Sequence, residues 1–221
     1  MLLSHVYVAD SWECVWRVSS DAKDMKRCWT KSPSDAFAPC TLSVTSSRLL
    51  VTSYHTNELM QLDEAGGELR RVPLPEHMEP LHAMESPTGT FIVSHENTEL
   101  KQRPWQVSEV NTEGQVLRQF SGSPLSPLGD PEHIAVDSQG NIFVADWDNR
   151  RILLLDAQLA LRRVIIDEHQ LNDKRPLRLC YKEQSGQLMV GLVQAAGESR
   201  PDSTSALSRQ QRLDAKITVC L

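Results

Sequence analysis

The 221-residue sequence has no Cys-x-x-Cys pair and no apolar run near the roughly 18 residues a membrane span needs. It also lacks Gly-x-Ser-x-Gly, His-Glu-x-x-His, phosphate-loop, Gly-x-Gly-x-x-Gly and kinase-like signatures. The common hydrolase, zinc-protease and nucleotide-binding motifs are thereby excluded. Five cysteines (Cys14, Cys28, Cys40, Cys180 and Cys220) are an odd number without metal-site spacing, so neither a disulfide framework nor a zinc site is expected. The opening Met1-Leu2-Leu3-Ser4-His5 has no basic segment and too short an apolar one for a signal peptide. A net charge of -6 argues against an overall nucleic-acid footprint. The expectation is a soluble cytoplasmic protein with no membrane or DNA partner.

What is present is a repeat. The stretch "DPEHIAVDSQGNIFVADWDNRRILLLD", residues 130–156, alternates apolar and polar residues in three runs cut by polar breaks. Its central Val144 has counterparts at Val8, Val51, Val93 and Val190, with successive spacings of 43, 42, 51 and 46. Periods in the forties suit four-stranded propeller blades. A proline precedes the pivot by 12 to 14 residues at Pro39, Pro80, Pro131 and Pro176, where it suits a strand start that needs no ladder donor. Downstream come "MKRC", "LRRV", "LRQF" and "LRRV", beginning at Met25, Leu69, Leu117 and Leu161. "DSQGN", "DEAGGE" and "NTEGQ" supply turns. A two-helix solenoid of similar period is excluded by the period-two alternation.

Residues 130–166, with the Pro-led "IAVD", the Gly-Asn turn, "VAD" and Asn-Arg-Arg-Ile, closely resemble the NHL repeat; residues 1–29 match it through "VYVADSWECVWRV". The copies at 39–75, 80–123 and 176–221 are divergent. The predicted fold is therefore all-β: one NHL-type β-propeller over 1–221, with blades at 1–29, 39–75, 80–123, 130–171 and 176–221. The first blade lacks its innermost strand and the last stops after "AKITVCL". That makes about 18 strands, a partial arc of about 4.5 blades with open edges, where the six-bladed rings of the family would need about 24. Residues 194–214, polar and poor in apolar side chains, read as a disordered insertion with Ser199, Ser203, Ser205 and Ser208 open to phosphorylation.

Asp10 and Asp146 share a repeat position, either as a carboxylate rim or as turn caps paired with Arg150 or Arg151. Lys26-Arg27, Arg70-Arg71, Arg118 and Arg162-Arg163 lie on outermost strands, where cations guard an edge or track phosphates. Thr41, His82, His133 and Arg178 each follow a strand-starting proline by two residues, so they could converge at the channel mouth. His82 and His133, with His95 as a third ligand, are the candidates for metal or acid–base work, although a metal site needs three or four ligands. Peptide-amidating lyases resemble this arrangement in having channel-lining histidines. Trp12, Tyr54 and Trp147 are strand-connecting aromatics that either face a partner or pack between blades.

Together these features predict a non-catalytic platform for a protein partner, with Trp12, Tyr54, Trp147, Arg150, Arg151 and Arg178 as contact residues and no cofactor. The NHL resemblance implies substrate recognition in a tripartite-motif ubiquitin ligase. The RING, B-boxes and coiled coil of such ligases have no counterpart here, so ligase activity would reside elsewhere. One rival is RNA binding through Arg150, Arg151, Lys174, Arg175 and Arg178. The other is a metal-dependent lyase or hydrolase with its site in the channel.

Overall fold

The computed structural model describes residues 5–10, 13–45, 48–53, 56–102 and 104–194. Five antiparallel blades follow one another in chain order. Blade 1 holds β1 (His5–Asp10), β2 (Cys14–Ser19) and β3 (Met25–Thr30). Blade 2 holds β4 (Pro39–Val44), β5 (Arg48–Ser53), β6 (Glu58–Asp63) and β7 (Glu68–Pro73). Blade 3 holds β8 (Met78–Glu85), β9 (Phe91–Asn97), β10 (Trp105–Val110) and β11 (Val116–Phe120). A small hairpin, β12 (Gly122–Ser123) and β13 (Ser126–Pro127), precedes blade 4. Blade 4 holds β14 (Pro131–Val136), β15 (Ile142–Asp146), β16 (Arg151–Leu155) and β17 (Leu161–Ile166). A one-turn helix, α1 (Glu168–Leu171), leads to the last described hairpin, β18 (Lys174–Lys182) and β19 (Gln187–Gln194).

Val8, Val51, Val93, Val144 and Val190 all fall in the second strand of the repeat, and the cation-bearing segments fall in outermost strands β3, β7, β11 and β17. Helix α1 was not expected. Asp167 and Gln170 close a capping box around it, a signature present in the sequence. Trp12, Tyr54, the "AKITVCL" segment and all of the predicted insertion except Gln194 lie outside the described residues.

Successive blades pack face to face. Tyr7 and Val15 of blade 1 pack with Leu49, Val51, Met60 and Leu62 of blade 2. Leu50, Leu59 and Val72 of blade 2 pack with Ala83, Phe91 and Val93 of blade 3. Ile92 and Val107 then meet Ile134, Ile142, Val144 and Leu153, and Ala135, Phe143, Ala145 and Ile152 meet Leu179. Alternation with period two therefore sends successive residues into successive seams: Leu50 looks forward and Val51 backward. Full burial of one such aliphatic side chain is worth about 1.5–3 kcal/mol. Innermost strands touch in sequence, β4 on β8, β8 on β14 and β14 on β18, which makes the structure a propeller arc.

The turn between third and fourth strands recurs in three blades. Asp63, Asn111 and Asp156 each accept backbone N–H bonds through a side-chain oxygen, from Gly67, Gln115 and Ala160 among others. The residue three places on takes positive φ: Gly66 (93°), Gly114 (81°) and Leu159 (60°). Glycine is required at Gly114, where a Cβ would come within 1.6 Å of the Pro73 carbonyl oxygen on the neighbouring blade. Leu159 accepts the left-handed conformation and is buried in the seam between blades 3 and 4.

Candidate functional site

The innermost strands carry one irregularity four times. Pairing slips by a residue between Pro39 and Thr41, Pro80 and His82, Pro131 and His133, and Pro176 and Arg178. Proline has no N–H for the ladder, so the strand bulges there and the residue two places on is re-aimed. Pro39 and Pro131 open their strands, as expected, whereas Pro80 and Pro176 are third residues of β8 and β18.

Of the four side chains expected at the channel, His82, His133 and Arg178 lie together, and three of the four bond the innermost strand of the next blade. Thr41 Oγ1 donates to the Leu81 carbonyl at 2.8 Å and lies 2.7 Å from Thr52 Oγ1. The backbone N–H of Ile134 donates to His82 Nδ1 at 3.4 Å, and that of Leu179 donates to His133 Nδ1 at 3.3 Å. The two imidazoles stack, with centroids 3.7 Å apart and planes 22° from parallel. Burial pushes the His82 pKa down to about 3, and the Arg178 charge acts in the same direction. His133 is likewise held well below the usual histidine range by burial, then by His82 and Arg178.

These bonds fix the chemistry. A neutral imidazole whose Nδ1 accepts an N–H carries its proton on Nε2, so each ring offers a donor there and no lone pair. The His82 Nε2 is buried and has no hydrogen-bond partner among the described residues, while the Leu42 backbone acts against the downward pKa shift. Arg178 is half-buried, and its guanidinium donates to the Leu177 carbonyl at 2.9 Å, with no carboxylate partner among the described residues. His95, the proposed third ligand, turns away: its Nε2 lies 2.8 Å from Ser108 Oγ, and burial pushes its pKa down to about 4. No group of three or more His, Cys, Asp or Glu side chains among the described residues is placed to hold a metal ion. The donor set therefore does not fit a metal at this site.

The other sequence candidates have structural roles. Asp146 is wholly buried and accepts from Gly129 N, from Asn149 Nδ2 and from Arg151 Nε at 2.6 Å. Desolvation raises its pKa against the pull of Asn149 and Arg151. Arg151 and Asn149 also reach the Pro127 carbonyl, so the Asp-Trp-Asp-Asn-Arg-Arg tip clamps the β12–β13 hairpin to blade 4. Trp147 is buried at 7 % exposure with the Arg175 guanidinium over its ring, which corrects its reading as an exposed contact aromatic. Arg150 pairs with Glu168 and Asp173, and Arg175 with Asp148, so the proposed basic patch is largely neutralised. On the outer strands, Arg71 is ringed by Asp35, Glu58 and Glu68, and Arg118 and Arg162 are paired too. Sequence reasoning missed the bulge and the Nδ1 bonds, although the constant proline-plus-two register signalled that these positions are equivalent.

No protein-family model and no curated protein matches the sequence. Solved structures match the fold. A streptogramin B lyase is 17% identical with a TM-score of 0.63, covering 95% of this chain and 68% of that one. A gluconolactonase from Xanthomonas campestris is 15% identical with a TM-score of 0.63, covering 84% and 64%. A catalytically inactive histidine-to-alanine variant of virginiamycin B lyase from Staphylococcus aureus, solved with quinupristin, is 14% identical with a TM-score of 0.58, covering 81% and 56%. The chain thus spans about three fifths of the length of several solved propellers it matches. The three propellers named are two lyases and a gluconolactonase, which runs against the expectation that the chain is not an enzyme, and none of them carries a sign of a ligase context. The chain has the fold of a β-propeller arc.

Proposed function

We propose that this chain is the greater part of a catalytic propeller, a lyase or hydrolase whose reacting centre lies at Arg178 and His133 on the innermost strands. The observation that carries this reading is a cation with no carboxylate partner among the described residues, within electrostatic reach of two stacked imidazoles locked as N–H donors. Such a set stabilises negative charge developing on a substrate oxygen. A neutral imidazole polarising a carbonyl is an established use of a histidine with a depressed pKa.

Ester or lactone hydrolysis and elimination next to a carbonyl both develop charge on a carbonyl oxygen. That shared demand fits both a lactonase-like and a lyase-like reaction, and the substrate class proposed is a lactone or comparable ester. Arg178 would bind the oxygen, His133 would donate from Nε2, and His82 is a positioning residue that holds the His133 ring by stacking. The NHL-like pattern of residues 130–166 belongs to this reading as a scaffold feature, since Asp146, Asn149 and Arg151 serve the hairpin. RNA binding is the weaker reading, because Arg150, Arg151 and Arg175 are already paired.

The test is turnover of a panel of lactones, aryl esters and cyclic depsipeptides by the full chain and by Arg178→Met. The expected result is activity on at least one class, reduced roughly 100- to 1,000-fold by the substitution. Turnover absent from the whole panel, or unchanged in Arg178→Met, would overturn the proposal.

A further inference from the structure

Four serines are followed directly by proline: Ser32, Ser86, Ser123 and Ser126. The residue before a proline is pushed out of the helical region into extended backbone, the form in which an enzyme cleft reads a segment. The fold treats the four differently. Ser86 is half-buried in a turn, where its Oγ accepts from the Thr88 and Thr90 amides and lies 2.7 Å from Thr90 Oγ1. Ser32 is exposed, with its Oγ 3.2 Å from Ser34 Oγ and its carbonyl closing a turn on the Asp35 amide. Ser123 and Ser126 face each other across β12–β13, whose strands pair only at Gly122–Pro127 and Ser123–Ser126. Both are exposed, and Leu125 at the tip is 99% exposed. So short a hairpin opens at little cost.

Ser126 is the one serine of the four whose hydroxyl bonds a cation. Arg151 Nη1 donates to its Oγ and Nη2 to the Pro127 carbonyl at 3.1 Å, while Nε is turned to the buried Asp146. The two Nη groups form the planar fork that matches a phosphate. We propose that Ser126 is a phosphorylation site for a proline-directed protein kinase and that Arg151 receives the phosphoserine. In the transfer a bond forms between Ser126 Oγ and the γ-phosphorus of ATP, and the bond from that phosphorus to the β,γ-bridging oxygen breaks. ADP leaves, and the hydroxyl proton passes to the kinase's catalytic carboxylate. The product carries a charge of about −1.5 to −2 at neutral pH. Arg151 attracts it and Asp146, across the guanidinium, repels it. Proximity favours attraction, since the Nη groups already touch the hairpin, whereas Asp146 is engaged by Nε, Asn149 and the Gly129 N–H. Bonds to a phosphate thus replace bonds to a hydroxyl and a carbonyl, and the modification fastens the hairpin to blade 4. Neither His133 nor Arg178 takes part, so this site is independent of the catalytic reading.

The test treats the folded full chain with ATP, magnesium and a mitogen-activated protein kinase, and maps the phosphate by tandem mass spectrometry. Ser126 should be modified roughly ten-fold more than Ser32 or Ser86, because its segment opens most easily. The fate of the phosphate is read without any substitution. A phosphoserine has its second pKa near 6. Phosphorus NMR should place that of the modified chain about half a unit or more below the free phosphopeptide 121–129, and the difference should vanish in urea. Amide exchange over residues 122–128 should slow on phosphorylation, and kinase treatment of Ser126→Ala should leave it unchanged. Phosphate placed chiefly on another serine, none on Ser126, or a Ser126 phosphate that titrates at or above the peptide's value would overturn the proposal.

Discussion

Arg151 donates to Asp146 across 2.6 Å at a point where the carboxylate is wholly buried and the guanidinium only 16% exposed. The pair sits beneath the β12–β13 hairpin, with Asn149 and the Gly129 N–H completing the carboxylate's shell. Removing the cation alone strands a buried charge. Arg151→Met should therefore cost about 3 kcal/mol in urea unfolding, and Asp146→Asn less, about 1–2 kcal/mol, because the amide keeps an acceptor. An equal or reversed order would show that the carboxylate is not ionised in the fold.

Stability should fall on mild acidification. His82 and His95 have folded pKa values pushed down to about 3 and about 4, and His133 is lowered in the same direction. Unfolded histidine titrates near 6.5. The contribution is thus fully present above about pH 6.5, and it is lost as pH falls toward the folded values, because the unfolded chain takes up protons that the fold refuses. Each histidine adds a slope of at most about 1.4 kcal/mol per pH unit in that window. Urea midpoints at pH 7 and pH 5 should differ clearly, and the difference should shrink in His95→Gln.

Asp35 gives a separate acid transition. Its bond to the Arg71 guanidinium holds the carboxyl down to about 2, below the ordinary 3.8. The stabilisation is present above about pH 4 and lost as pH falls toward 2. Side-chain exposures of 17% and 28% keep the pair partly screened. Asp35→Asn should cost about 1 kcal/mol at pH 7 and roughly a third of that at pH 2.5, read from thermal melts at both values.

Gly114→Ala should be among the most damaging small substitutions. The added Cβ would meet the Pro73 carbonyl, which is backbone and cannot swing aside, at a positive φ. A loss above about 3 kcal/mol is expected. Gly89→Ala is the control: it shares the positive φ but meets nothing within 4 Å, so only the conformational cost of about 1 kcal/mol applies.

The strand architecture was legible because one-face alternation and turn residues are local. "NTEGQ" and "DEAGGE" announced their turns through a glycine that the left-handed position needs. "DAQLA" has the same turn with Leu159 in that position, and nothing local reveals it, since the strain is offset by a seam that another blade supplies. Helix α1 was legible in principle from Asp167 and Gln170. The candidate site was half legible. The proline register identified Thr41, His82, His133 and Arg178 as equivalent, but their orientation depends on main-chain donors 46 and 52 residues away in sequence. For Trp147, exposure was an even alternative to packing in the sequence, and the guanidinium of Arg175, 28 residues on, decided it.

The recurrent slip after each proline separates scaffold from chemistry. Main-chain pairing on either side of it is the same whether the side chain two places on is a hydroxyl, an imidazole or a guanidinium. The ladder inside each blade does not depend on which side chain stands there, so what varies along the axis, from hydroxyl to imidazole to guanidinium, is the chemistry offered and the bond made to the next wedge.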